Sequence, residues 1–203
     1  MINNFLKLSL FTAFLITSSI LKADPYSLAN ISQYLQNLKI LKADFSQTNP
    51  DETMSSGTIL IKRPGRMRFE YYKPDKTVVL VSAGALAIFD PKGDEEPITY
   101  PIKNNPISLI LKGEVDLLNS EIVTKYKVSV EKAVLTLRDP KKPERGNLEL
   151  VFSGTTPALE KFTIKNENGS STSISLKNIE YPKKLNETLF SIALETKKRL
   201  AKN

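Results

Sequence analysis

The chain has no cysteine, no histidine and no tryptophan among its 203 residues, and only eight glycines. Without cysteine there is no disulfide, no thiolate nucleophile, and no N-terminal cysteine to carry a lipid anchor. Without histidine the commonest general base and metal ligand are missing. Carboxylates remain at Glu70, Asp75, Asp90 and Asp94–Glu96, but none stands at a recognisable acid/base or metal spacing. These absences argue against an enzyme, and against any metal or cofactor.

Long apolar runs are scarce too. One stands out, Leu8–Leu21, with Lys7 ahead of it and Leu-Lys-Ala at 21–23 behind it. It is shorter than the ~20 residues that span a bilayer, and its layout is that of a secretory signal cut after Ala23. The expectation is a cleaved signal peptide over 1–23 and one domain over 24–203, delivered to the periplasm. Cleavage would remove Lys7 and Lys22 from a chain of formal charge +7. Export argues against nucleic acid as the partner of the remaining positive charge. With 40% apolar residues the chain can build a core without disulfides.

What is present reads as one helix followed by many short strands. Asp24 is placed to cap a helix with Pro25 at its first position. Leu28, Ile31, Leu35 and Leu38 recur at helical spacing. From Leu41 the period changes to two, and Leu41, Ala43 and Phe45 share a face. Strands are expected at Thr58–Arg63, Arg66–Tyr72, Thr77–Ser82 and Ala85–Asp90, punctuated by Pro64-Gly65, Pro74-Asp75, Gly84 and Asp90-Pro91. Residues 105–118 break the rhythm: Ile107, Ile110 and Leu111 follow Pro106 at helical spacing and predict one or two short helices. Strands resume at Ile122–Glu131, Val134–Arg138, Asn147–Phe152, Leu159–Asn166 and Ser171–Tyr181, with a hairpin at Asn168-Gly169. Leu189–Leu194 is read as a last strand before a frayed basic tail. Strands in this number, with few helices, predict a mostly β, α+β fold: a single open half-barrel of about ten to twelve antiparallel strands. Helices over its concave face would enclose an apolar space.

Several stretches resemble the outer-membrane lipoprotein carrier family, LolA. They are ADFSQ at 43–47, GTILIKRPGRMRFEYYKPD at 57–75, LVSAGALAIFDP at 80–91 and NNPISLIL at 104–111. The resemblance covers most of 24–118 and fades beyond it. It implies a half-open β-barrel with an α-helical lid over an apolar cavity. It also implies a monomeric periplasmic chaperone without cofactor. Such a chaperone accepts acylated lipoproteins from an ATP-driven inner-membrane transporter and passes them to an outer-membrane receptor. Arg63 matches the family arginine that holds the lid closed on backbone carbonyls. Ala87 stands where the family usually carries a tryptophan, which implies a roomier or differently shaped pocket.

Two readings stay open for each feature. Arg63 follows Ile59 and Ile61 in phase, so it points either inward, where its five donors need oxygens, or away at the strand's end, splayed to solvent by the Pro64 turn or paired with a carboxylate. Leu28, Ile31, Leu35, Phe45, Ile59, Ile61, Met67, Phe69, Tyr71, Phe89, Ile107, Ile110 and Leu111 line either an acyl-chain cavity or an ordinary core. Lys62, Arg66, Arg68 and Lys73 form either a solvated face or a docking patch. The alternative function is a periplasmic lipid- or lipoprotein-sensing regulator of the same superfamily. A hydrolase is a third possibility, and it would need a carboxylate pair in a polar cleft.

Overall fold

The structure, a computed structural model, describes residues 25–91 and 96–201. The segment read as a signal peptide and the cap expected at Asp24 lie outside the described residues. Eleven strands pair antiparallel in one sheet. They are β1 (Ile40–Thr48), β2 (Met54–Lys62), β3 (Arg66–Tyr71), β4 (Val78–Ser82), β5 (Ala85–Phe89), β6 (Ile98–Pro101), β7 (Val123–Val128), β8 (Lys132–Leu137), β9 (Asn147–Ser153), β10 (Ala158–Lys165) and β11 (Ser171–Glu180). Their order across the sheet is β6-β5-β4-β3-β2-β1-β11-β10-β9-β8-β7. Two hairpin meanders thus meet where β1 pairs with β11, leaving β6 and β7 as edges.

Local chemistry sets these boundaries. Ala83 and Gly84 both take positive φ, 48° and 81°, the left-handed pair that a tight hairpin between β4 and β5 requires. Gly57 answers a different need. A Cβ built on it would lie 2.0 Å from the Glu70 carbonyl oxygen and 2.7 Å from the Phe45 ring, so β2 passes β3 too closely for any side chain.

Along β1 and β2, burial alternates as a period of two demands: Leu41, Ala43, Phe45, Ile59 and Ile61 are all buried. The same inward face continues through Ala133, Leu135 and Leu137 of β8, then Leu148, Leu150 and Phe152 of β9. Helix α1 (Leu28–Asn37) lies on this face through Ile31, Ser32 and Leu35. Its cap is Ser27, whose Oγ accepts from the Asn30 N–H at 3.2 Å. A 3-10 turn at Ile102–Asn104 leads to the short helix α2 (Ser108–Leu111), which buries Leu109, Ile110 and Leu111 in the same core.

The C-terminal expectation fails. Leu189–Leu194 is no strand: a 3-10 turn covers Glu187–Phe190, and helix α3 runs Ile192–Leu200. The Ser191 Oγ accepts from the Leu194 N–H at 3.2 Å and so starts α3, while Lys197, Lys198 and Arg199 suit its C-terminal dipole. This segment covers the outer face of β3–β5, where Val78, Leu80, Ala87 and Phe89 form a second apolar cluster with Ile192 against them. The short edge strand β6 is a further departure from the expected strands; it is exposed along its whole length, so burial alternation leaves no mark on it.

Candidate functional site

Arg63 closes the end of β2, and its N–H continues the ladder to the Lys39 carbonyl at 2.8 Å. The side chain turns inward and is 6% exposed. Its Nε donates to the Lys112 carbonyl at 2.9 Å, and Nη2 donates to Lys112 at 2.6 Å and to Gly113 at 3.3 Å. Its Nη1 donates to the Leu38 carbonyl at 3.2 Å and to that of Leu35. Five bonds therefore engage all five donors of the guanidinium. Each acceptor is a carbonyl in or just past the last turn of α1 or α2. Helix ends leave such carbonyls without intrahelical partners and carry partial negative charge. One cation thus satisfies two helix ends that belong to different segments. Burial lowers the guanidinium's pKa, yet an arginine keeps its charge throughout the working range. The Gly65 N–H adds a bond to the Leu111 carbonyl at 2.8 Å, seating α2 on the same turn.

Beneath this tie lies an apolar interior. Ile31, Leu35, Phe45, Ile59, Ile61, Met67, Ile107, Ile110 and Leu111 belong to one buried cluster, with Leu28, Phe69 and Tyr71 half-buried against it. The rings of Phe45, Phe69 and Tyr71 meet at centroid separations of 5.1–6.3 Å, Phe45 edge-on to both neighbours. Tyr71 donates to the Gln47 side-chain oxygen at 2.8 Å, and burial pushes its pKa up to about 12 despite that bond. Leu109 of α2 and Val115 and Leu117 of the segment after it join the cluster, as do Phe152, Leu159 and Phe162 of the sheet. None of these six was among the expected cavity residues, although the strand alternation in 148–162 carried a signal for the last three. The Ser32 hydroxyl is buried under α1 and has no hydrogen-bond partner among the described residues.

Phe89 does not line this interior. In the register, Val78 faces Phe89 and Leu80 faces Ala87, while Val79 and Val81 point the other way, Val81 into the inner core. Phe89 therefore sits on the outer face, with the Arg199 guanidinium 5.1 Å from its ring centre. Ala87 lies beside it, so the residue at that position does not widen the inner space.

The expected basic patch is also rearranged. Arg68 is 4% exposed, donates to the Leu189 carbonyl at 3.0 Å and pairs with Glu70 and Glu195. Lys62 and Arg66 both pair with Glu187. The C-terminal segment thus brings a carboxylate to each of these three cations, Glu187 being shared by two of them, and Lys73 lies apart in the β3–β4 turn. Burial raises the Glu195 pKa, but Arg68, with Lys198 and Arg199, outweighs it and holds the carboxyl below its ordinary value.

Outside α1 runs a groove of about 870 Å³, lined by Gln33, Tyr34, Leu38, Pro157 and Tyr181 among others. The Tyr34 hydroxyl accepts from the Leu159 N–H at 3.2 Å and lies 3.1 Å from the Tyr181 hydroxyl, so it pins α1 to β10. Among the described residues no cluster of His, Cys, Asp or Glu can hold a metal. None of their helices is long and apolar enough to cross a membrane.

A family model described as outer membrane lipoprotein carrier protein LolA matches residues 36–193. An outer-membrane lipoprotein carrier protein of Coxiella burnetii (strain RSA 331 / Henzerling II) is 28% identical over 115 residues, covering 53% of this chain and 54% of its own. The chain thus spans about half the length of that relative. The carrier protein of Chromohalobacter salexigens is 24% identical over 160 residues, covering 74% of each chain. Among solved structures, a LolA superfamily protein from Nitrosomonas europaea is 11% identical with a TM-score of 0.43, covering 80% of this chain and 96% of that one. With the family match running through Arg63, helix α2 and all eleven strands, the chain belongs to the LolA family of outer-membrane lipoprotein carrier proteins.

Proposed function

We propose that this protein is a periplasmic carrier that shields the acyl chains of lipoproteins. It would receive them from an ATP-driven inner-membrane transporter and release them to an outer-membrane receptor. The supporting observation is the Arg63 tie across both lid helices, above an interior of apolar side chains.

Each CH₂ withdrawn from water is worth about 0.8 kcal/mol, so acyl chains compete strongly for an apolar shelter. In the closed form the lid side chains Ile31, Leu35, Ile110 and Leu111 occupy that shelter themselves. Cargo enters by exchange: acyl chains take the place of lid side chains on the sheet, and the Arg63 bonds break. Closing restores those bonds, which favours expulsion of the cargo and keeps net affinity moderate. A carrier needs this balance because cargo held too tightly never leaves.

The test is a two-protein transfer assay with an acylated lipoprotein and an outer-membrane receptor. Arg63→Leu is expected to take up cargo and retain it, with release slowed about tenfold or more, as the loss of charge-assisted bonds implies. Release at the wild-type rate would remove the latch from the mechanism.

A further inference from the structure

The edge hairpin β7–β8 presents an apolar apex that neither the core nor the lid uses. Val130 is 97% exposed and Val128, just before the turn, is 45% exposed. Single exposed hydrophobics are ordinary; the setting of this one is not. A β-branched residue at a hairpin tip is not what turn chemistry selects, since Gly, Asn, Asp and Ser serve there. The apex is also held in place. The Ser129 N–H and hydroxyl both donate to the Lys132 carbonyl, at 2.8 and 3.1 Å. The Tyr26 hydroxyl donates to the Glu131 carbonyl and lies 2.9 Å from that of Gly154, tying the turn to the base of α1 and to the β9–β10 turn. Lys125, Lys127 and Lys132 flank the apex, all exposed, against the single acid Glu131 in residues 123–137. Lysines on an edge strand discourage sheet-to-sheet pairing. That role explains the lysines but not the fixed, outward valine between them.

We propose that this hairpin tip is a docking point for an anionic lipid surface. Val130 and Val128 enter the headgroup boundary, and Lys125, Lys127 and Lys132 meet the anionic headgroups around them. An apolar tip inside a basic ring is the combination that interfacial binding uses, with burial and electrostatic attraction adding. Two valines and three lysines give weak, reversible contact. Such contact would set the α1 base and the neighbouring groove toward the bilayer. The proposal does not depend on what the interior carries.

The chain has no tryptophan, so Val130→Trp installs a single reporter. With vesicles of phosphatidylethanolamine and phosphatidylglycerol, its emission is expected to shift to the blue and to be quenched by brominated acyl chains. Met54→Trp is the control: Met54 is 70% exposed at the opposite end of the strands, and its reporter is expected not to respond. In co-sedimentation of the protein as purified from expressing cells, Val130→Asp is expected to lower binding to these vesicles about tenfold. Reversing Lys125, Lys127 and Lys132 to Glu is expected to abolish the preference over phosphatidylcholine vesicles. An unshifted Val130→Trp spectrum overturns the proposal. So does Val130→Asp binding equal to wild type, or equal binding of the wild type to phosphatidylcholine. Acyl-cargo uptake is a separate measurement, so failure here leaves the carrier reading standing.

Discussion

Arg63 grips the carbonyl of Lys112 with two of its nitrogens, Nε at 2.9 Å and Nη2 at 2.6 Å. Two donors of one rigid fork converge on a single oxygen, an arrangement an ammonium group does not reproduce. It joins the end of β2 to the end of α2, while Nη1 of the same group holds α1.

Replacement by lysine therefore tests geometry at constant charge. In Arg63→Lys, α1 keeps its ties through Tyr26 and Tyr34, and α2 keeps the Gly65–Leu111 bond. Amide exchange is expected to accelerate about tenfold or more in residues 108–113, and less in 28–37. Equal acceleration of both segments would mean that the lid moves as one piece.

Ser32 is 2% exposed and its hydroxyl has no hydrogen-bond partner among the described residues, which costs about 1–3 kcal/mol. Ser32→Ala removes that cost and improves helix propensity. The melting temperature of the cargo-free protein is expected to rise by roughly 2–4 °C. A lower melting temperature would mean that the hydroxyl finds a partner in solution.

Glu195 carries the pH dependence of the C-terminal brace. Its folded pKa lies below the ordinary 4.5, so the stabilisation is complete above that value and is lost as pH falls through the folded pKa. Glu195→Gln leaves Arg68 buried beside a neutral group and is expected to cost up to about 3 kcal/mol at neutral pH. The gap between variant and wild type should shrink as urea unfolding is repeated at pH values descending below 4.5. A gap that stays constant across that range would remove the Arg68–Glu195 pair as its source.

Gly57→Ala addresses the sheet itself. The added methyl meets the Glu70 carbonyl, which is backbone in a paired strand and cannot swing aside. Overpacking of this kind costs about 1–3 kcal/mol, and a backbone clash belongs at the upper end. The urea midpoint is expected to fall accordingly; an unchanged midpoint would show that β2 and β3 can separate locally without loss.

The inner face was readable wherever one side of a strand is wet. β1 and β2 alternate cleanly, and Phe45, Ile59 and Ile61 were assigned to the interior on that pattern. In β4 and β5 the pattern is silent, because both faces are covered: Val78, Val79, Leu80 and Val81 run on without a polar break. Nothing local separates Leu86 from Ala87 or Ile88 from Phe89 there, and Phe89 was placed on the wrong side. The outer cover that makes both faces apolar is α3, more than a hundred residues away, and its own sequence reads as the end of a last strand followed by a frayed tail.

Alternation, turn residues and the spacing of Leu28, Ile31 and Leu35 determined a helix followed by an antiparallel meander, because those signals act within a few residues. They also singled out Arg63 as a cation in phase with core residues. Only the tertiary structure decided what that cation meets. Its acceptors come from positions 28, 25, 49 and 50 residues away, and no local pattern records which helix ends converge on one side chain. Arg66 and Arg68 make the same point: alike in local sequence, one reaches Glu187 at the surface and the other is buried against Glu195. The difference lies in where α3 comes to rest, which long-range burial sets and strand phase does not.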